Sequence, residues 1–102
     1  MSNTVTTRIV DRTGNKTTMT APIPPDYIRE VYTDDAGPKA EILFNVSKTY
    51  EFNDPKEWLK VEVHVKLACN QTAETLDEAA RLAFEKAEEY SRDALSYYLP
   101  PK

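Results

Sequence analysis

The clearest pattern in the sequence is an alternation of apolar and polar residues over nine positions, residues 59–67. Strict alternation is typical of a half-buried β-strand, because successive side chains of a strand point to opposite faces of the sheet. A second alternating segment spans residues 40–52, with exceptions at Leu43 and Lys48. Residues 53–57 form a turn sequence with Asn, Asp and Pro. Together these segments predict an antiparallel β-hairpin.

Matching the apolar faces of the two strands predicts a register for this hairpin, since a slip of one residue would turn every side chain of one strand to the wrong face. The predicted opposite pairs are Phe52 and Leu59, Tyr50 and Val61, Val46 and Val65, and Phe44 and Leu67. The same register places Glu51 opposite Lys60, which is a favourable cross-strand pair.

Residues 75–99 change to a helical period, with an apolar stripe spaced alternately four and three residues apart. The stripe consists of Leu76, Ala80, Ala83, Ala87, Tyr90, Ala94 and Tyr97. Thr75 and Glu78 predict a capping box at the start of this helix, and the two prolines at 100 and 101 end it. The alanine-rich stripe favours packing on the sheet, because the apolar face of the hairpin needs a cover. A coiled-coil seam is the alternative use of this stripe.

Residues 1–25, the first quarter of the chain, are predicted to form a threonine-rich hairpin followed by a proline-rich extended connector. Its strands are residues 4–10 and 16–20, joined by a turn around Gly14. Residues 26–32 could form a helical turn or a strand, and the turn sequence at residues 34–38 favours a strand paired to residues 40–46. The predicted fold is therefore α+β: an antiparallel β-meander sheet in residues 26–70 and one long C-terminal amphipathic helix on one of its faces, within a single domain of residues 1–102.

Composition narrows the class of protein. The 102 residues include 40% hydrophobic and 29% charged residues, with a net charge of −4, and this balance suits a folded domain better than a disordered chain. Net negative charge argues against a duplex nucleic-acid binder. One cysteine and no segment resembling a signal peptide or a membrane span predict a cytoplasmic protein.

Candidate catalytic groups are few. His64 is the single histidine, and we expect it at the surface without a nucleophile beside it, although Glu62 could orient it. Cys69 continues the apolar face of its strand, which predicts a core residue. One histidine and one cysteine cannot build a zinc site, and two distant glycines cannot build a phosphate loop. We therefore expect no enzyme activity, no metal and no cofactor.

Two groups of residues form a candidate interaction surface. The polar face of the central strand carries Trp58, Lys60, His64 and Lys66, and the helix carries Leu82, Phe84, Leu95, Tyr97 and Tyr98. Leu82, Phe84 and Leu95 lie off the main helical stripe, so a lone helix would leave them partly exposed. This predicts a homodimer joined by helix flanks or edge strands, unless the N-terminal segment folds over these residues.

A different partner is possible for the polar face. Aromatic and basic residues side by side are typical of single-stranded nucleic-acid binders, and Trp58 with Lys56, Lys60 and Lys66 fits that description. Glu57 and Glu62 cancel much of the positive charge there. Nucleic acid is therefore the alternative to a protein partner.

The segments Asn45-Val46-Ser47-Lys48-Thr49-Tyr50-Glu51-Phe52 and Glu57-Trp58-Leu59-Lys60-Val61-Glu62-Val63, followed by an acidic helix, resemble small uncharacterised proteins of tailed bacteriophages. The resemblance covers roughly the C-terminal 60 residues. It implies an accessory role, in genome maintenance or in blocking host defence, and carries over no functional residue. The expectation is a non-enzymatic protein-binding module that self-associates in a host cytoplasm.

Overall fold

The structure, a computed structural model, describes residues 3–35, 37–51 and 58–98, with only the backbone of residues 97 and 98. Its elements in chain order are β1 (Thr4–Asp11), β2 (Lys16–Pro22), a 3-10 helix (Pro25–Ile28), β3 (Lys39–Glu51), β4 (Trp58–Asn70) and α1 (Ala73–Tyr98). The predicted α+β fold with one C-terminal helix on an antiparallel sheet is confirmed.

The sheet has the strand order β2-β1-β4-β3, and all its pairings are antiparallel. Two hairpins, β1-β2 and β3-β4, are joined where β1 lies beside β4, so the sheet departs from a simple meander at that junction. The β1-β2 turn is closed by the Asp11 carboxylate, which accepts hydrogen bonds from the backbone N–H groups of Thr13 and Asn15. Gly14 follows with φ of 84°, a left-handed conformation that favours glycine.

Helix α1 covers one face of the sheet, which we call the helix face, and the opposite side is the open face. The helix packs on β4 and β3 and on part of β1. Because side chains alternate along β4, every second residue from Leu59 to Cys69 is buried under the helix. The core of the helix face also includes Val5, Ile9, Ala79, Leu82, Ala83, Ala87 and Ala94. One apolar layer between sheet and helix therefore holds the fold together.

The predicted hairpin register is wrong by two residues. Tyr50 lies opposite Leu59, and Thr49 lies opposite Lys60 in place of Glu51. A shift of two residues keeps every side chain on its own face, so apolar matching cannot distinguish the two registers. The observed pairs are Phe44 with Val65, Val46 with Val63, Ile42 with Leu67, and Glu51 with Trp58.

The strand predicted at residues 26–32 is also wrong. This segment forms the 3-10 helix and a turn, and it packs over the end of the core through Ile23, Ile28 and Val31, each at most 4% exposed. The backbone N–H of Asn70 donates to the Val31 carbonyl oxygen at 2.7 Å. Irregular backbone can be buried here because such groups find partners. As a result, β3 pairs only with β4 among the described strands and forms an edge of the sheet.

The start of α1 lies three residues before the predicted capping box. The Thr72 side chain accepts a hydrogen bond from the Thr75 backbone N–H at 3.2 Å, and the Thr75 hydroxyl oxygen accepts one from the Thr72 N–H. This reciprocal arrangement is a capping box with threonine in place of glutamate. The buried stripe is also rotated from the predicted one, since Ala80 is exposed while Ala79 and Leu82 are buried.

Candidate functional site

The open face of the sheet carries a row of polar side chains across all four strands. Strand pairing places Thr20, Thr6, His64 and Asn45 side by side in that order. The hydroxyls of Thr6 and Thr20 are 3.1 Å apart, and His64 Nδ1 lies 2.7 Å from Asn45 Oδ1. The predicted register would place Ser47 opposite His64, but the observed register places Asn45 there.

The environment of His64 provides an orienting contact but, in the part of the chain that the structure describes, no hydrogen-bonded nucleophile. Since an amide oxygen only accepts hydrogen bonds, Nδ1 carries the proton in this contact. When the ring is neutral, Nε2 is therefore the unprotonated nitrogen. Glu62 does not orient the ring, because its carboxylate lies 3.2 Å from Lys60 Nζ. That hydrogen bond, more than any other cause, lowers the pKa of Glu62. Within the described residues, no hydroxyl or thiol group forms a hydrogen bond to His64.

Charged side chains on the open face are interleaved by sign. Lys60 and Arg8 both approach Glu62, at 3.2 and 4.0 Å. Lys66 lies 3.7 Å from Glu41. Strand alternation places the half-buried Trp58 on the same face as these lysines, in line with Lys60, His64 and Lys66. The polar half of the predicted surface is therefore one continuous line along β4, but its positive charges are paired with carboxylates.

The helical half of the predicted surface is divided by the structure. Leu82 is 9% exposed and belongs to the core, so its predicted exposure is wrong. The physical reason is the rotation of α1, which turns Leu82 towards the core. The N-terminal segment also lies against this part of the helix, where the Tyr27 hydroxyl donates a hydrogen bond of 2.7 Å to the Leu82 carbonyl oxygen. Phe84 is 49% exposed and Leu95 is half-buried. The side chains of Tyr97 and Tyr98 lie outside the described residues.

Phe84 lies beside the outer strand β3. Its ring meets the Phe44 ring edge to face, with centroids 5.8 Å apart. One turn further along the helix, Glu88 accepts a hydrogen bond of 2.6 Å from Lys48 of β3. Leu95 follows Phe84 by eleven residues, close to three full helical turns, and therefore lies on the same flank. This flank and β3 form what we call the β3 side of the molecule.

The β3 side combines apolar surface with an unpaired strand edge. Under the helix, Ile42, Phe44, Val46 and Tyr50 are only partly buried, because α1 lies mainly over β4. On the open face of the same strand, Leu43 is 67% exposed. Thirteen residues of β3 have β4 on one side and no strand on the other among the described residues. Exposed edges of this kind are templates for further strand pairing.

Cys69, the other candidate for chemistry, has a structural role. Cys69 is fully buried, and burial raises the pKa of its thiol, so it is an inert core residue as expected. The described residues contain no group of three His, Cys, Asp or Glu side chains that could hold a metal ion. In the same part of the chain, no helix is both long enough and apolar enough to cross a membrane.

Sequence reasoning missed two residues that shape the surface. Tyr27 attaches the N-terminal segment to the helix, and Met19 is a 53% exposed apolar side chain on the edge strand β2. Met19 could have been found as the single large apolar residue among threonines, but no local signal places Tyr27 against the helix. Comparison of the chain with protein-family models, with curated proteins and with solved structures gives no match.

Proposed function

We propose that this protein is a non-enzymatic binding module that works by protein contact and pairs with a second copy of itself. The observation that carries the proposal is the β3 side, where half-exposed Phe84 and partly buried apolar side chains flank an unpaired strand. The resemblance to small phage proteins supports an accessory role in a host cytoplasm. The interleaved charges and the lack of a nucleophile at His64 among the described residues support a binding role over an enzymatic one.

Symmetry restricts how two copies of β3 can pair. Two antiparallel strands in one sheet are related by a two-fold axis perpendicular to the sheet, which sets both helices on the same side. The axis then passes midway between the two copies of one β3 residue, because paired residues must point to the same face. An axis near Phe44 would bring the Phe84 flank of one helix towards that of the other, and the apolar surface there would be buried.

The charged residues of β3 favour one register among those whose two-fold axis lies near the middle of the strand. With the axis at Asn45, Lys39 of one copy, which already pairs with Asp35 of its own chain, lies opposite Glu51 of the other, so charges of opposite sign face each other at both ends of the paired strands. With the axis one residue further along, Glu41 would lie opposite Glu51, which is unfavourable. An axis at Asn45 also extends the polar row on the open face across both copies. We therefore infer an eight-stranded sheet centred on Asn45.

The oligomeric state tests self-association. The monomer mass is 11.6 kDa, and light scattering at micromolar concentration should give a mass that rises towards twice this value. Phe84→Glu should return the mass to 11.6 kDa with the helix signal in circular dichroism retained, because Phe84 is half-exposed in the monomer. Met19→Glu is the matched control: it changes an equally exposed apolar residue on the opposite edge and should leave the dimer intact.

Cross-linking tests the register. Asn45→Cys would place two cysteines opposite each other, with Cβ atoms about 5 Å apart, and mild oxidation should link them. In the control variant Thr49→Cys the two thiols would be eight positions apart, about 27 Å, and should remain free. Cys69 is fully buried and does not compete. A mass of 11.6 kDa at every concentration would overturn self-association, and linkage of the control alone would overturn the register.

Single-stranded nucleic acid is the second candidate partner, favoured by the alignment of Trp58 with Lys60 and Lys66 on the open face. The neighbouring carboxylates Glu62 and Glu41 oppose it. Titration of Trp58 fluorescence with a mixed-sequence oligonucleotide, at low and high salt, separates the two. A saturable change that weakens with salt would favour nucleic acid over the protein-contact proposal.

A further inference from the structure

The edge of the sheet opposite the β3 side carries a cleft of about 410 Å³ between β2 and the C-terminal half of α1. It exists because the helix lies mainly over β4 and β3, and the described residues leave the helix face of β2 largely exposed. The cleft is lined by Thr7, Ile9, Thr17, Met19, Tyr90, Asp93 and Ala94. Its wall is mainly apolar, with Ile9 at the base and Met19 and Tyr90 on opposite sides.

The chemistry of this cleft combines three features. β2 is an edge strand, so every second residue presents its N–H and C=O groups away from β1. The apolar cleft runs beside that edge, on the side where alternate side chains of an added strand would point. Asp93 lies at the cleft and has no ion-pair or hydrogen-bond partner among the described residues. Together these features match the recognition of extended peptides by strand addition.

We propose that this cleft binds an extended segment of a partner protein, which pairs with β2, inserts an apolar side chain beside Met19 and places a basic residue next to Asp93. The backbone groups of β2 that face away from β1 provide the main-chain hydrogen bonds. The carboxylate of Asp93 selects a cationic residue by charge complementarity. The strand pairs along at most the seven residues of β2, and Pro22 at its end has no N–H to donate. The cleft is separate from the β3 side, so this binding does not depend on the dimer.

Fluorescence anisotropy with synthetic peptides tests the proposal on the full chain. A labelled heptapeptide KTVTLTK, which alternates apolar and threonine residues between two lysines, should bind with Kd below about 1 mM. Its counterpart ETVTLTE should bind more weakly by about two- to five-fold, the range of one exposed ion pair. Asp93→Asn should remove that difference, and Met19→Glu should weaken both peptides by at least about ten-fold.

Two controls separate strand addition from simple apolar binding and from effects of the dimer. A KTVTLTK peptide methylated on alternate backbone nitrogens cannot form the ladder and should lose binding. Equal binding of the methylated peptide would overturn strand addition and show a site for small apolar groups. Phe84→Glu should bind the peptide normally, even if it is monomeric. No binding of KTVTLTK, or an unchanged preference in Asp93→Asn, would overturn the proposal while leaving the dimer untouched.

Discussion

Replacing Tyr27 tests how the N-terminal segment is held against the helix. The Tyr27 hydroxyl donates to the Leu82 carbonyl oxygen at 2.7 Å, and Lys86 Nζ lies 4.1 Å from the centre of the Tyr27 ring. Tyr27→Phe removes the hydrogen bond and keeps the ring. The Leu82 carbonyl retains its helical partner four residues later, so it is not left unsatisfied. The expected loss is therefore in the lower range for a hydrogen bond, about 0.5 to 1 kcal/mol.

Tyr27→Ala also removes the ring and its contact with the Lys86 ammonium. Truncating a fully buried aromatic residue costs about 3 to 5 kcal/mol, and Tyr27 is only half-buried, so we expect about 2 to 3 kcal/mol. Urea unfolding followed by circular dichroism, at one protein concentration for all variants, measures both losses. The phenylalanine variant is the matched control for the alanine variant, because the two differ in the ring alone.

The surroundings of Tyr27 also predict a pH dependence of stability. Burial, and then the charges of Glu85 and Glu89, raise the pKa of Tyr27 above its ordinary value of 10.0. A raised pKa means that the folded state holds the proton longer than the unfolded state does. This contribution is therefore complete below about pH 10 and lost as the pH rises through the folded-state pKa. The advantage of the parent over Tyr27→Phe should shrink in that window. A phenylalanine variant as stable as the parent at neutral pH would refute the reasoning.

Two further predictions concern the core and one turn. Val63 is fully buried, so Val63→Asp should cost several kcal/mol and unfold the domain, whereas Val10→Asp on the open face should keep a cooperative thermal melt. A melt of Val63→Asp within a few degrees of the parent would contradict the strand orientation. Hydrogen bonds from Lys39, Thr33 and the Gly37 N–H lower the pKa of Asp35 to about 2. A lowered pKa stabilises the fold above the ordinary value of 3.8, and this stabilisation is lost as the pH falls towards 2. Asp35→Asn should therefore show a smaller loss of stability in that acid range, measured by urea unfolding, and an unchanged acid profile would contradict the turn geometry.

The sequence was sufficient to predict the faces of β3 and β4 but not their pairing. Alternation reports which side of a strand is apolar, and it has a period of two, so registers that differ by two residues look the same. Lys48 interrupts the apolar face of β3 because its ammonium group pairs with the carboxylate of Glu88, which lies forty positions further along the chain. No pattern within the strand contains that information.

The segment before β3 was misread because its core residues have no regular spacing. Ile23, Ile28 and Val31 are all buried, but the interval of five between the first two fits neither the period of a strand nor that of a helix. Their burial depends on the end of the sheet that they cover.

Only the polar half of the candidate interaction surface was predictable, because the sequence does not fix the rotation of α1 about its axis. Small alanine residues surround the stripe of α1, so several rotations of the helix fit the sequence equally well. The observed rotation buries Leu82 and leaves Phe84 at the edge. The polar residues of β4 were predictable, because strict alternation along a single strand assigns its faces without any knowledge of the neighbours.

The contact between β1 and β4 has a consequence for how the chain acquires its structure during synthesis. Val5 pairs with Val65, so the hairpin of β1 and β2 must wait until almost two thirds of the chain has been made before β4 exists to pair with it. The hairpin of β3 and β4 and the helix after it are local and can form without it. Until β1 and β2 arrive, the valine-rich edge of β4 is open to other nascent chains. An obstruction at the N-terminus, such as a bulky fusion, would prolong this interval and should raise the fraction of insoluble product.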